Sequence, residues 1–170
     1  MSWNKFYEER VNSTYQDYFE KKYKPFLDMV MEEQQLDVFE VGCGIGSVSK
    51  YLLKHNIECS GIDICPKTVE LANINVNKDI FLVGDIFENF TIDCELAVTH
   101  GVLEHFNNKQ IKHILNLYPY SIHYVPLDKY HKPSYGDERL LSYQHWLDLV
   151  EPEKYVIFNK GLDLAFLTRK

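Results

Sequence analysis

Phe39-Glu40-Val41-Gly42-Cys43-Gly44-Ile45-Gly46-Ser47 is the stretch whose reading decides the fold. It completes a short apolar run, Leu36-Asp37-Val38-Phe39-Glu40-Val41, that reads as a buried strand. Beyond it, Val48, Tyr51 and Leu52 recur at helical spacing. Glycines at a strand-to-helix junction let the backbone turn tightly and let a ligand approach with no β-carbon in the way. In an open α/β sheet such a turn lies at the carboxyl end of the first strand, where the strand order reverses and ligands bind.

Outward from this turn the pattern repeats. A second strand runs near residues 58–63, Pro66 stands where a helix would begin, and Val69, Ala72 and Val76 form its apolar stripe. Residues 80–83 and 96–99 read as third and fourth strands. Asn107 can cap a helix whose Ile111, Ile114, Leu115 and Tyr118 share one face. Pro119 closes that helix, and residues 121–125 make a fifth strand. A long polar and aromatic loop, 126–141, leads to a helix capped by Ser142, with Tyr143, Trp146, Leu147 and Val150 expected on its buried face. Residues 155–158 and the alternating Leu162, Leu164 and Phe166, joined through Asn159-Lys160-Gly161, read as a hairpin. Upstream, residues 1–34 are helical in pattern and crowded with rings, and Lys24-Pro25 should divide them into two helices. Five strands alternating with helices imply a doubly wound, mainly parallel α/β sheet, and the hairpin adds an antiparallel strand.

A chain of 170 residues suits a single domain, here an N-terminal helical lid or cap (1–34) on a core (35–170). Its net charge is −7 and its three arginines (Arg10, Arg139 and Arg169) are scattered, so the clustered basic surface that holds a nucleic-acid backbone is missing. The start, MSWNKFYEER, has no apolar core of a secretory signal, and no apolar run approaches the roughly 18 residues of a membrane span. Cys43, Cys59, Cys65 and Cys94 form no C-x-x-C pair and read as free thiols of a reducing, cytoplasmic compartment. Twelve tyrosines supply rings with polar tips, which suit the walls of a small-molecule site.

Four motifs lie at the ends of successive strands. In the first, the glycines are spaced G-x-G-x-G rather than the G-x-G-x-x-G of dinucleotide sites, and Glu40 stands just before them. A carboxylate there repels a pyrophosphate and suits a cationic ligand; S-adenosylmethionine (SAM) carries an ammonium and a sulfonium and has no phosphate. In the second, Gly61-Ile62-Asp63-Ile64, the acid lies nineteen residues beyond Gly44, where α/β nucleotide sites place a carboxylate for ribose hydroxyls. The third is Gly84-Asp85-Ile86, suited to an adenine edge, and the fourth is residues 99–106, THGVLEHF.

Residues 36–106, through FEVGCGIGSVSKYLL, GIDICPKTVELA, GDIF and GVLEHF, resemble the class I SAM-dependent methyltransferases, especially the small-molecule group of types 11 and 12. The resemblance implies a seven-stranded sheet in the order 3-2-1-4-5-7-6, strand 7 antiparallel, with helices on both faces. It implies SAM as cofactor, S-adenosylhomocysteine as product and a small-molecule acceptor, with no nucleic-acid or membrane partner. Glu40, Gly42, Cys43, Gly44 and Gly46 would surround the methionine part of SAM, and Asp63 with Ile64 would hold the ribose. Asp85 and Ile86 would hold the adenine, and His100 and Gly101 would lie near the amino-acid end. Relatives that recruit a metal at the fourth motif use E-x-x-E-H. Gly101 replaces the first glutamate here, so no metal is expected.

Methyl transfer needs alignment and water exclusion more than a nucleophilic side chain. Only a hydroxyl acceptor demands a base, for which His105 or a histidine of the 126–141 loop is the candidate. The N-terminal rings Tyr7, Tyr15 and Tyr18 and the later residues His123, Tyr124, Tyr130, His131 and Tyr135 are candidates for the acceptor wall or lid. Two other readings stay open. A SAM-binding module without catalysis fits so short a chain, and a dinucleotide-dependent oxidoreductase is disfavoured by the glycine spacing and Glu40.

Overall fold

The computed structural model describes residues 7–33, 36–87, 94–133 and 136–170. Seven strands form one sheet: β1 (Val38–Val41), β2 (Cys59–Asp63), β3 (Phe81–Val83), β4 (Leu96–His100), β5 (Tyr120–Pro126), β6 (Lys154–Phe158) and β7 (Asp163–Arg169). Their order is β3-β2-β1-β4-β5-β7-β6. β1 to β5 pair in parallel, and β7 is antiparallel to both β5 and β6. The order reverses between β1 and β4, as the expected topology requires.

Helices complete the layers, among them α1 (Ser13–Lys22), α2 (Lys24–Met31), α3 (Ser47–Lys54), α4 (Pro66–Val76), α5 (Asn108–Leu117) and α6 (Tyr143–Val150). The break between α1 and α2 falls where expected, with Pro25 in the first turn of α2. Asn107 caps α5 through a reciprocal capping box with Gln110. Strand alternation divides the core between the two faces of the sheet. Val38, Val98 and Tyr124 pack with Phe19, Phe26, Leu27 and Leu52 on one face. Phe39, Val41, Ala97 and Val125 pack with Ile111, Ile114 and Trp146 on the other. Glu40 shares Val38's side of the sheet, which is why its carboxylate meets α3.

Two expectations about burial change. Tyr143 is 47% exposed, and α6 instead buries Trp146, Leu149 and Val150. The N-terminal rings divide: Phe19, Tyr23 and Phe26 belong to the core, while Tyr18 is 55% exposed. Trp3, Phe6 and Tyr135 lie outside the described residues. Among the described residues, no helix is long and apolar enough to cross a membrane. Cys43 and Cys59 are buried thiols.

Candidate functional site

The glycine turn is held from two sides. Cys43 N donates to Ile62 O (2.9 Å) and Gly46 N to Cys43 O (2.8 Å). Gly42, Gly44 and Gly46 all have positive φ, a region that disfavours side chains. The three glycines face different things. A β-carbon at Gly44 would lie 3.0 Å from Tyr7 Oη, beside a cavity, whereas one at Gly46 would lie 2.6 Å from the Phe81 ring. Gly46 therefore makes room for β3 and does not line a cavity.

Two cavities open at this carboxyl edge of the sheet and share Tyr7 and Gly42 as walls. The larger, about 350 Å³, is bordered by Asp63, Ile64, Gly84, Asp85, Ile86 and Phe87 on one side. Gly101, Val102, His105, Phe106 and Asp137 close the other side. The smaller, about 40 Å³, is lined by Glu40, Cys43, Gly44, His100, Tyr15 and Phe19, among others. Among the described residues neither lining contains a lysine or an arginine, while four carboxylates (Glu40, Asp63, Asp85 and Asp137) are present.

Asp63, Asp85 and Glu40 are each positioned by backbone or short side-chain donors. Asp63 accepts from Gly44 N (3.0 Å) through one oxygen and from Cys65 N (2.9 Å) through the other. It thereby ties the glycine turn to the end of β2. Burial raises its pKa, and those two N–H groups oppose the rise. Asp85 accepts from Phe87 N (2.9 Å), which fixes the turn after β3. Glu40 is 2% exposed and receives Ser49 N (3.1 Å) and Ser49 Oγ (2.6 Å) on a single oxygen. Burial pushes its pKa up to about 7 against those donors.

His100 and His105, five residues apart, have opposite surroundings. His100 is stacked on Tyr124 (4.3 Å between ring centres) and stands edge-on to Tyr23 (4.2 Å). Burial pushes its pKa down to about 3, so it is neutral, and its Nε2 is buried without a hydrogen-bond partner at the smaller cavity. His105 lies at the end of a short 3₁₀ turn (Leu103–His105), with Nδ1 3.2 Å from Asp137 Oδ1. If Nδ1 carries the proton and donates it, Nε2 keeps its lone pair.

Some residues singled out from the sequence are not at the cavities. Tyr124 and Tyr130 both turn their hydroxyls to Asp163 Oδ1, at 2.8 and 2.9 Å, because that buried carboxylate needs donors. Tyr18 is on the surface, and His131 is an exposed residue with positive φ. His123 is buried within a chain of Thr99, Ser121 and Thr168 hydroxyls. Other residues matter that the motifs do not mark. Val102 fills the space over Gly42, whose β-carbon would lie 2.6 Å from it. Asp137 reaches His105 from the long loop, and Glu104 is buried with its pKa pushed up to about 8. Burial is the main cause of that rise, and nearby Glu138 adds to it. The acid-rich 137–138 pair was the only available signal in that loop.

Strand order, the antiparallel β7 and a glycine turn flanked by acids at the switch point define a class I SAM-dependent methyltransferase fold. Residues 39–116 match the family described as a methyltransferase domain. No curated protein sequence matches it. Among solved structures it is similar to the PH0226 protein of Pyrococcus horikoshii OT3, at 16% identity and a TM-score of 0.75, over 94% of this chain and 93% of that one. It is also similar to a TehB-like SAM-dependent methyltransferase of Corynebacterium glutamicum, at 14% identity and a TM-score of 0.64, over 94% and 100%. The methyltransferase domain of a bacterial CtHen1 follows at 14% identity and a TM-score of 0.63, over 85% and 97%. At such identities the likeness speaks for the fold.

Proposed function

We propose that this chain binds SAM in the two joined cavities and transfers its methyl group to a small acceptor. The observation that carries the reading is a nucleoside-sized space lined by four carboxylates and, among the described residues, by no lysine or arginine. In this reading Asp63 holds the ribose, Asp85 and Ile86 the adenine, and Glu40 with the neutral His100 the cationic methionine end. A phosphate-bearing dinucleotide finds no cationic partner among the described lining residues. An acceptor lone pair attacks the methyl carbon in line with the carbon–sulfur bond, whose electrons pass to sulfur as the sulfonium becomes a neutral thioether. A hydroxyl or amine acceptor sheds a proton to a base or water, and an ammonium must lose one before its nitrogen can attack.

The test is formation of S-adenosylhomocysteine across a panel of neutral, cationic and anionic small acceptors. Turnover with a neutral or cationic compound supports the proposal. SAM binding with no turnover across the panel would make the chain a binding module instead.

Tyr7 borders both cavities and covers Gly44. Tyr7→Ala should admit water and loosen the donor, lowering kcat by on the order of 10²-fold. Calorimetry should show SAM still bound; unchanged turnover would remove Tyr7 from the lid.

Glu40 supplies a pH dependence. Its folded-state pKa of about 7 exceeds the ordinary 4.5, so the ligand-free protein holds an extra proton between those values. The stability linked to that proton is present at low pH and is lost as pH rises through about 7. A cationic ligand favours the carboxylate, so SAM binding at pH 6 should release a proton. Affinity should fall about tenfold per pH unit below 7 and level off above it. Glu40→Gln should flatten this profile, weaken binding above pH 7 and raise the melting temperature there. Calorimetry in buffers of different ionisation enthalpy measures the proton directly.

A further inference from the structure

Beyond the donor site, we infer that Glu104, His105 and Glu138 form a divalent-cation site at the acceptor end of the larger cavity. One ligand atom from each of the three lies within 4.8 Å of the others. Bonds of roughly 2.0–2.6 Å to a hard or borderline cation place two ligands of one ion up to about 5 Å apart. An independent observation points the same way. Glu104 is 2% exposed, and its Oε2 is buried with no hydrogen-bond partner. A buried carboxylate oxygen left without a donor is costly unless a proton or a cation meets it.

The cluster is assembled by the long loop. Arg139 N donates to Glu104 O (2.8 Å), and the Arg139 guanidinium holds Phe106 O and Asn108 Oδ1. These contacts pin the loop onto the 3₁₀ turn and bring Glu138 beside Glu104. A carboxylate from the loop thus supplies what Gly101 lacks. Asp137 at His105 Nδ1 makes a carboxylate–histidine pair of the kind that orients metal-bound imidazoles. Two carboxylates and one imidazole suit Mn²⁺, Co²⁺ or Zn²⁺ better than Ca²⁺.

His105 and Gly101 border the larger cavity, and Glu104 Oε1 lies 3.4 Å from where a Gly101 β-carbon would stand. A cation here would face the acceptor and lower the pKa of a coordinated hydroxyl, whose proton goes to solvent before oxygen attacks the methyl group. The acceptor class is therefore an oxygen nucleophile able to ligate a metal. This assignment of the acceptor rests on the methyltransferase reading; the cation site itself does not.

The full-length chain, stripped with a chelator, is titrated with MnCl₂ without SAM, and free Mn²⁺ is followed by electron paramagnetic resonance. Saturable binding of one ion per chain is expected. Glu138→Gln and His105→Asn should each weaken it at least tenfold, with metal-free melting temperatures within a few degrees of the parent. Absence of saturable binding, or parental binding by Glu138→Gln, overturns the site. SAM calorimetry on the same stripped protein separates the two ideas. SAM binding without Mn²⁺ binding removes only the cation, and Mn²⁺ binding without SAM binding removes the methyltransferase reading.

Discussion

Asp63→Ala is expected to abolish measurable SAM binding. Asp63 performs two tasks with one carboxylate. It holds Gly44 N and Cys65 N, and it borders the cavity where a ribose would present its hydroxyls. Each hydrogen bond to a charged acceptor contributes about 1.5–3 kcal/mol, so losing two such bonds to a ribose weakens binding by about 10²–10⁴-fold. Freeing the glycine turn adds to the loss. Asp63→Asn retains a carbonyl acceptor and should be less damaged than alanine. Calorimetry with SAM and with S-adenosylhomocysteine measures the change, and a melting curve for each variant shows whether the fold survived. Affinity within threefold of the parent would exclude Asp63 from the ligand and, with it, the proposed pose.

The second large effect is on stability. Asp163, the first residue of β7, is fully buried and collects the hydroxyls of Tyr124 and Tyr130 and the amide of Asn159. Asn159 Nδ2 also reaches Lys22 O, so this carboxylate joins α1, β5, the long loop and the hairpin turn. Asp163→Ala removes the acceptor and strands buried donors, at about 3–5 kcal/mol. For a chain of this size the melting temperature should fall by roughly 6–20 °C. Asp163→Asn, which keeps one carbonyl acceptor, should lose less. Thermal melts followed by circular dichroism test both variants, and an alanine variant melting with the parent would show that the network contributes nothing. Because Tyr130 belongs to the loop that carries Asp137 and Glu138, the alanine variant should also lower transfer at temperatures where it remains folded.

Glu40, Gly42, Gly44, Asp63 and Asp85 are legible from order and spacing because each sits within a few residues of a strand end. Parallel pairing brings those ends to one edge, so proximity follows from topology. Helices α1 to α6 are legible for a similar reason: capping residues and apolar stripes are local features. Tyr18, Tyr124, Tyr130 and His131 show where such reading stops. A tyrosine in a strand or loop carries no local mark that says whether its hydroxyl meets a ligand, water or a buried acid. Asp163 settles the matter for Tyr124 and Tyr130, from a distance of more than thirty residues in the chain.

By itself the sequence determines the strand–helix alternation, the glycine turn and the acids at the strand ends, since all depend on neighbours within one or two turns of chain. Only tertiary structure decides that Gly46 makes room for Phe81, that Tyr7 closes the cavities, and that Glu138 arrives beside Glu104 and His105. Those juxtapositions are set by how a long loop and an N-terminal segment fold back over the sheet. Burial and unsatisfied charge, which have no period in the sequence, select the partners there.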